Sequence, residues 1–439
     1  MQKKLIALAI AGLSGAAFAQ SNVTIYGVMD MDFGSSRATG ATNNVGNLLV
    51  GIDQPSRNRL NSNSSHIGFK GAESLGNGLT AVFQMESGVA AETAGAALAG
   101  GRDTYIGLAG GFGTVAAGLL TGPYRAAVAS FEVVPGATGV GANVMNIAGK
   151  AIINVGSVST TAVAADVAQA AGTTLATATR VQNTLAYITP NFNGFQGTFA
   201  HSTGPIAAEA KTATPNAAGT SSVNAKAWTM GLTYNNGPLK AVFAWQSIKD
   251  AAALFATDST VDANGETVVG AANNRSANSK IESWILGAGY TFNGATTVNL
   301  AYDVNKASAS GSQAGAAAVP AVAAGDVRFD STRQKTWILS AKHVMGAHEI
   351  AGSWVRARST VDATYGVGTT AVKGEDDQGA TGLALRYGYN FSKRTQAYAV
   401  YSQINNQSNG RYDYTTGAVG VSGNGADPRS WGVGLRHSF

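Results

Sequence analysis

The sequence predicts an all-β chain, folded as a 16-stranded antiparallel transmembrane β-barrel. Three observations predict it. Apolar and polar residues alternate at period two from one end of the chain to the other. Many of the alternating runs are ten to thirteen residues long, close to the 9–11 residues a tilted strand needs to cross a bilayer. The connections between them switch without a break between short turns and long polar segments.

Taken in order, the first nineteen residues read as a secretory signal peptide. Lys3 and Lys4 supply the basic start, LIALAIAGL the apolar stretch, and Ala17-Phe18-Ala19 the small-x-small cleavage site. That stretch is too short to anchor in a bilayer, which takes about 20 apolar residues. A single domain, 20–439, is expected to follow. Its strands are expected at about 22–33, 65–72, 79–89, 102–109, 113–120, 181–189, 194–202, 225–234, 239–249, 279–292, 296–307, 334–345, 348–360, 380–391, 395–406 and 429–439. In 382–391, for example, Leu383, Leu385, Tyr387, Tyr389 and Phe391 take one face, and Gly382, Ala384, Arg386, Gly388 and Asn390 the other.

Seven connections are short turns, such as ESLGNG, PNFNG and NNGP. Eight are long, near 34–64, 90–101, 121–180, 203–224, 250–278, 308–333, 361–379 and 407–428. Strict alternation puts every short turn, and both termini, on one side of the sheet. An even strand number with short turns on one side and long loops on the other describes a bacterial outer-membrane barrel. Only a closed barrel leaves no strand edge unsatisfied in lipid. Tyr187, Tyr234, Tyr290, Phe292, Tyr389, Phe391 and Phe439 gather near strand ends, where an interfacial girdle belongs.

Composition excludes several functions. With no cysteine there is no disulfide framework and no thiolate metal site. Without Lys3 and Lys4 the formal charge falls from +5 to +3, too little to argue for nucleic acid as a partner. Glycine-rich GGFGTVAAG lacks the Lys-Ser/Thr of a phosphate loop and reads as a barrel turn. Asp30-x-Asp32-x-Gly34 resembles the start of a calcium loop, but the required later carboxylate is missing, so both aspartates read as lumen groups. His343 and His348 are five apart across a turn, without the spacing of a zinc protease. No Ser-His or Asp-His pair suggests a hydrolase, so no enzyme activity and no cofactor or metal is expected. By strand parity Lys70, Glu86, Asp303, Arg386 and Arg436 face the lumen, where water tolerates charge that lipid would penalise by about 2–4 kcal/mol at the midplane.

SNVTIYGVMDMDF, SSHIGFKGAESLGNGLTAVFQME, GRDTYIGLAGGFGTVAAG, NTLAYITPNFNGFQG, YNNGPLKAVFAW and SWGVGLRHSF occur in this order at strand spacing. Through them the chain resembles the trimeric general porins of Gram-negative bacteria, in particular the neisserial and burkholderial branch. The resemblance implies a homotrimer in the outer membrane, among outer-membrane lipids and lipopolysaccharide, with the third long loop (121–180) folded into the lumen as a constriction. It implies passive passage of ions and small hydrophilic solutes, and Phe439 as the signal read by the outer-membrane insertion machinery. Such porins set basic wall residues against acids on the constriction loop, here Glu132 and Asp166. The wall departs from the family pattern, with His66 and Leu119 standing where arginine is usual. Arg102 and Lys70 are kept, with Arg59 and Arg180 at nearby strand mouths, so the resemblance implies weaker ion selectivity than is typical. The alternative is an adhesin or receptor whose long loops bind a partner. The position of 121–180, inside the barrel or outside it, separates the two.

Overall fold

The computed structural model describes residues 22–41, 44–45, 48–49, 53–92, 101–136, 139–153, 173–205, 226–249, 259–261, 267–269, 280–308, 332–361, 364–367, 370–373, 377–415, 419 and 424–439. The expected signal peptide and Asp166 lie outside them. Sixteen strand positions make the wall. They are β1 (Asn22–Thr39), β2 (Gln54–Ser62 and His66–Gly76), β3 (Leu79–Gly88), β4 (Gly101–Gly110), β5 (Gly113–Thr121), β6 (Arg180–Ile188), β7 (Phe195–Ser202) and β8 (Lys226–Asn236). They continue as β9 (Leu239–Lys249), β10 (Lys280–Phe292), β11 (Thr296–Ser308), β12 (Thr332–Met345), β13 (His348–Val361), β14 (Ala380–Asn390), β15 (Thr395–Asn406) and β16 (Asp427–Ser438).

Each strand pairs antiparallel with its neighbours in sequence. β16 returns to β1, from Val28 opposite Ser438 to Thr39 opposite Asp427, and closes the sheet. β2 counts once because both its pieces pair with β1, the second on Asn22–Val28 and the first on Met31–Ala38. Residues 63–65 interrupt it. There Ser64 takes a left-handed φ of 62°, while the Asn63 amide donates to the Asp30 carbonyl at 2.8 Å.

All seven expected short turns are present. Four contain Asn-Gly: at Asn236-Gly237 the glycine alone takes positive φ, and at Asn77-Gly78, Asn193-Gly194 and Asn293-Gly294 both residues do. That is the twist a right-handed two-strand ladder demands of its turn. The expected first connection, 34–64, is shorter in the structure, because β1 runs on to Thr39 and β2 starts at Gln54. Small and polar residues fill these extensions, so they carry no apolar alternation. The ladders to β16 and β2 fix them instead.

The barrel is inverted relative to a soluble fold. Ile106 is 67% exposed and Leu300 53%, on the face turned to lipid, while Asp303 and Ser283 on the other face have no exposure. Tyr187, Tyr290, Phe292, Tyr389, Phe391 and Phe439 are exposed beside the short turns or the chain end. Among the described residues no helix is long and apolar enough to cross a membrane. Two short helices, which the alternation did not foretell, interrupt the third long connection: α1 (Pro123–Ala129) and α2 (Asn143–Ile147).

Candidate functional site

The third long connection enters from β5 with Pro123, whose fixed φ suits the first turn of α1. Its apolar side chains Tyr124, Phe131, Val144 and Ile147 are buried against Ile285, Ile338, Val355 and Ile404 of the wall. Polar contacts tie it to the same inward-facing positions. The Tyr124 hydroxyl donates to Asp303 Oδ1 at 2.6 Å. Lys240 Nζ reaches the Ser130 carbonyl at 2.5 Å and sits over the Phe131 ring at 4.7 Å. Ser340 donates to the Phe131 carbonyl at 2.6 Å, and Asn143 donates to the Gln403 carbonyl at 3.3 Å. Gly139 and Gly136 abut Asn63 at the interruption of β2. Contacts on β9, β11, β12, β15 and β2 thus span half the circumference.

Glu132 turns back into its own segment, accepting the amides of Val134 at 3.0 Å and Val144 at 2.9 Å. Desolvation in that enclosed position pushes its carboxyl up to about 7, against the pull of those hydrogen bonds. The last connection folds over the segment: Thr415 Oγ1 donates to Asn146 Oδ1 at 3.0 Å, and Lys150 Nζ to the Asp413 carbonyl at 3.3 Å. Burial draws the Lys150 ammonium down to about 8.

The opposite wall carries paired charges. Arg102 Nε lies 3.1 Å from Glu86 Oε2, with the two side chains 20% and 10% exposed. Tyr26 donates to the other oxygen at 2.8 Å and Gln84 at 3.2 Å. Lys70 lies over the Tyr26 ring at 4.9 Å. Next along, Arg180 Nε meets Asp103 Oδ1 at 2.6 Å, which also accepts from Thr121 at 2.8 Å. Arg125 of α1 reaches the Ala178 carbonyl at 2.5 Å. Burial first, and then repulsion from Arg180, lowers its guanidinium to about 10. At the closing seam Asp30 accepts from Arg436 at 2.7 Å and from Tyr398 at 2.7 Å. Asp32 accepts from Asn61 at 2.8 Å and from Asn63. Arg386 stacks on Tyr398 at 4.1 Å and pairs with Glu349 at 3.3 Å.

A model of the Gram-negative porin family matches residues 5–410, nearly the whole chain. The chain belongs to the Gram-negative porin family. This porin is 40% identical over 127 residues to a major outer membrane protein P.IB of Neisseria gonorrhoeae, a match covering 28% of this chain and 34% of that protein. It is 36% identical over 134 residues to a P.IA protein of Neisseria meningitidis, with the same coverage. The matched stretch thus spans about a third of the length of these relatives. Among solved structures it is similar to an anion-selective porin from Comamonas acidovorans, at TM-score 0.60 and 19% identity over 96% of this chain and 100% of that one. It is also similar to an OmpT variant of Vibrio cholerae, at TM-score 0.56 and 12% identity over 95% and 99%. At these identities the likeness shows the barrel fold, and with the family match it makes this porin an integral outer-membrane protein.

The structure of the porin brings the sequence candidates together unequally. His66, Lys70, Glu86 and Arg102 form one cluster, with His66 edge-on to Tyr26 at 6.5 Å. Arg102 reaches Glu86 although simple parity in β4 would turn it outward. A register shift between Met85 and Ser87 lets Arg102 and its neighbour Asp103 serve the same face. Arg180 joins Asp103, and Arg386 and Arg436 join the Asp30 seam. Arg59 lies opposite Gly34 in the upper part of β2. Asp303 is buried under the third connection, holding Tyr124 and the Gly149 amide, rather than lining open lumen. Phe439 exchanges both backbone hydrogen bonds with Gly27 at 3.1 Å. Sequence reasoning passed over Asp103, Tyr26 and Arg125. The first two carried a usable signal, since they share a parity with Tyr105 and Asp30. Arg125 carried none, because a helix inside the connection decides where it points.

Proposed function

We propose that this porin is a general diffusion channel. Ions and small hydrophilic solutes would pass a water-filled lumen narrowed by residues 122–136 and 139–149, which fold inward and line one side. The observation that carries this reading is the set of contacts joining that segment to inward-facing residues of β9, β11, β12 and β15. The same contacts count against a protruding adhesive loop. In this reading Arg59, His66, Lys70, Glu86, Arg102, Arg180 and Arg436 line the opposite side, while Arg386 lies buried beneath Val134, Pro135 and residues 139–141 of the segment. Glu132 and Asp303 hold the segment in place rather than face solutes.

The charge on the wall is nearly balanced. Glu86, Asp103, Asp30 and Glu349 are each matched by an arginine, the last pair beneath the segment, while Asp32 accepts from the amides of Asn61 and Asn63 instead. Arg59, Lys70 and Arg125 have no carboxylate within ion-pair distance among the described residues. A weak anion preference follows. The protein is proposed to be processed after Ala19, to use Phe439 as its insertion signal, and to assemble as a homotrimer among outer-membrane lipids. Single-channel recording of the refolded mature protein tests the reading. Stepwise openings in groups of three, with a small reversal potential of anion sign, are expected. A correctly folded barrel that never conducts would overturn it.

A further inference from the structure

Three of the five histidines share one arrangement that channel function does not use. His343 on β12, His348 on β13 and His437 on β16 all sit within a few residues of a short turn or the chain end. All three fall on the outward face, in register with exposed Leu339, Ile350 and Leu435. In each, Nδ1 is hydrogen-bonded to a hydroxyl of an adjoining strand: Thr296 at 2.7 Å, Tyr387 at 2.7 Å and Thr395 at 2.8 Å. A hydroxyl that donates into Nδ1 leaves the ring proton on Nε2. With the hydroxyl as donor, each ring carries its N–H donor on Nε2, at the level where the apolar band ends.

Two fixed positive charges complete the stripe. Lys393 and Arg394 are exposed in the turn between β14 and β15, and their side chains make no hydrogen bond or ion pair among the described residues. From β12 to β16 is four strand steps, about 19 Å at the usual spacing of paired strands. No acidic side chain of the described residues faces outward along it. Glu349 points inward to Arg386, and the terminal Phe439 lies on the β1 side against Gly27. Tyr389 and Phe391 intervene, 5.3 Å apart and edge to face.

We propose that this rim is a docking surface for anionic phospholipid headgroups of the periplasmic leaflet, with the phosphodiester accepting from the histidine Nε2 groups and held by Lys393 and Arg394. Donors at the interface, uncompensated positive charge and flanking amphipathic rings suit a phosphate at that depth.

The test is native mass spectrometry of the refolded protein titrated with short-chain phosphatidylglycerol, phosphatidylcholine or inorganic phosphate. Phosphatidylglycerol is expected to bind at least about fivefold tighter than phosphatidylcholine, the effect of roughly one interfacial charge. Replacing all three histidines by Asn, whose Oδ1 still accepts the hydroxyl, removes the Nε2 donors to the phosphodiester and should weaken phosphatidylglycerol binding several-fold. The matching triple Gln replacement restores a donor near Nε2 and should keep the affinity. Lys393→Gln with Arg394→Gln should erase the preference for phosphatidylglycerol over phosphatidylcholine, and decides the matter if the Asn variant does not fold. Lys335→Gln, on the outer face near the opposite rim, should change nothing. A folded Asn variant that binds phosphatidylglycerol as tightly as the parent, or a folded turn variant with unchanged preference, would overturn the proposal. So would inorganic phosphate competing as well as the lipid does, or an equal loss in Lys335→Gln.

Discussion

Replacing Arg102 by Gln removes one charge from a paired site and leaves Glu86 uncompensated beside the proposed pore, still accepting from Tyr26 and Gln84. An ion passing about 5 Å from that carboxylate in water feels about 0.8 kcal/mol. Screening at 0.1 M salt reduces this to about 0.5 kcal/mol. Cations gain that amount and anions lose it, so the cation-to-anion permeability ratio should rise about fivefold. Under a tenfold salt gradient, a channel near balance should shift its reversal potential by about 30 mV toward cation selectivity. The assay is the planar bilayer with the refolded trimer. Glu86→Gln should move the potential the other way, and the double replacement should return close to the parent. Shifts of the same sign in both single variants, or none above about 5 mV in folded barrels, would refute the reasoning that this pair borders the ion path.

Three further outcomes are expected. Tyr124→Phe removes a hydrogen bond to the buried Asp303 carboxylate, costing about 1.5–3 kcal/mol, and should make open-channel current noisier as the segment loosens; unchanged noise and unchanged urea stability would count against the anchor. Glu132 titrates near 7 when packed, above the 4.5 of the free side chain. Proton binding therefore favours the packed segment: the gain is complete below pH 4.5, worth at most about 3 kcal/mol, and lost as pH rises through about 7. Hydrogen-exchange protection in 122–136 and 139–149, corrected for the intrinsic pH dependence of exchange, should fall on that rise, and Glu132→Gln should flatten the fall. Gly34→Ala would drive a Cβ into the Trp431 carbonyl across the closing seam. A cost of about 1–3 kcal/mol should lower the temperature at which the folded band on a denaturing gel converts to the unfolded one.

The barrel is legible in the sequence alone. Period-two alternation, strand length and the alternation of turn lengths are local properties. A closed sheet adds to them only the requirement that the last strand find the first. Asn-Gly at three turns states its backbone conformation directly. The ends of β1 and β2 were illegible, because small and polar residues there owe their strand geometry to ladder partners, in β1 as far away as Asp427. The site was legible as a set of wall charges and illegible as a set of pairs. Parity names the face of Lys70, Glu86 and Arg436, but a register shift in the β3–β4 pairing turns Arg102 toward Glu86. Whether Glu132 and Asp303 meet solutes depended on how residues 122–136 and 139–149 fold. That segment has no period of its own and takes its path from the wall it buries. Only tertiary structure could decide it, since the apolar surface that orders the segment comes from strands more than a hundred residues away in sequence.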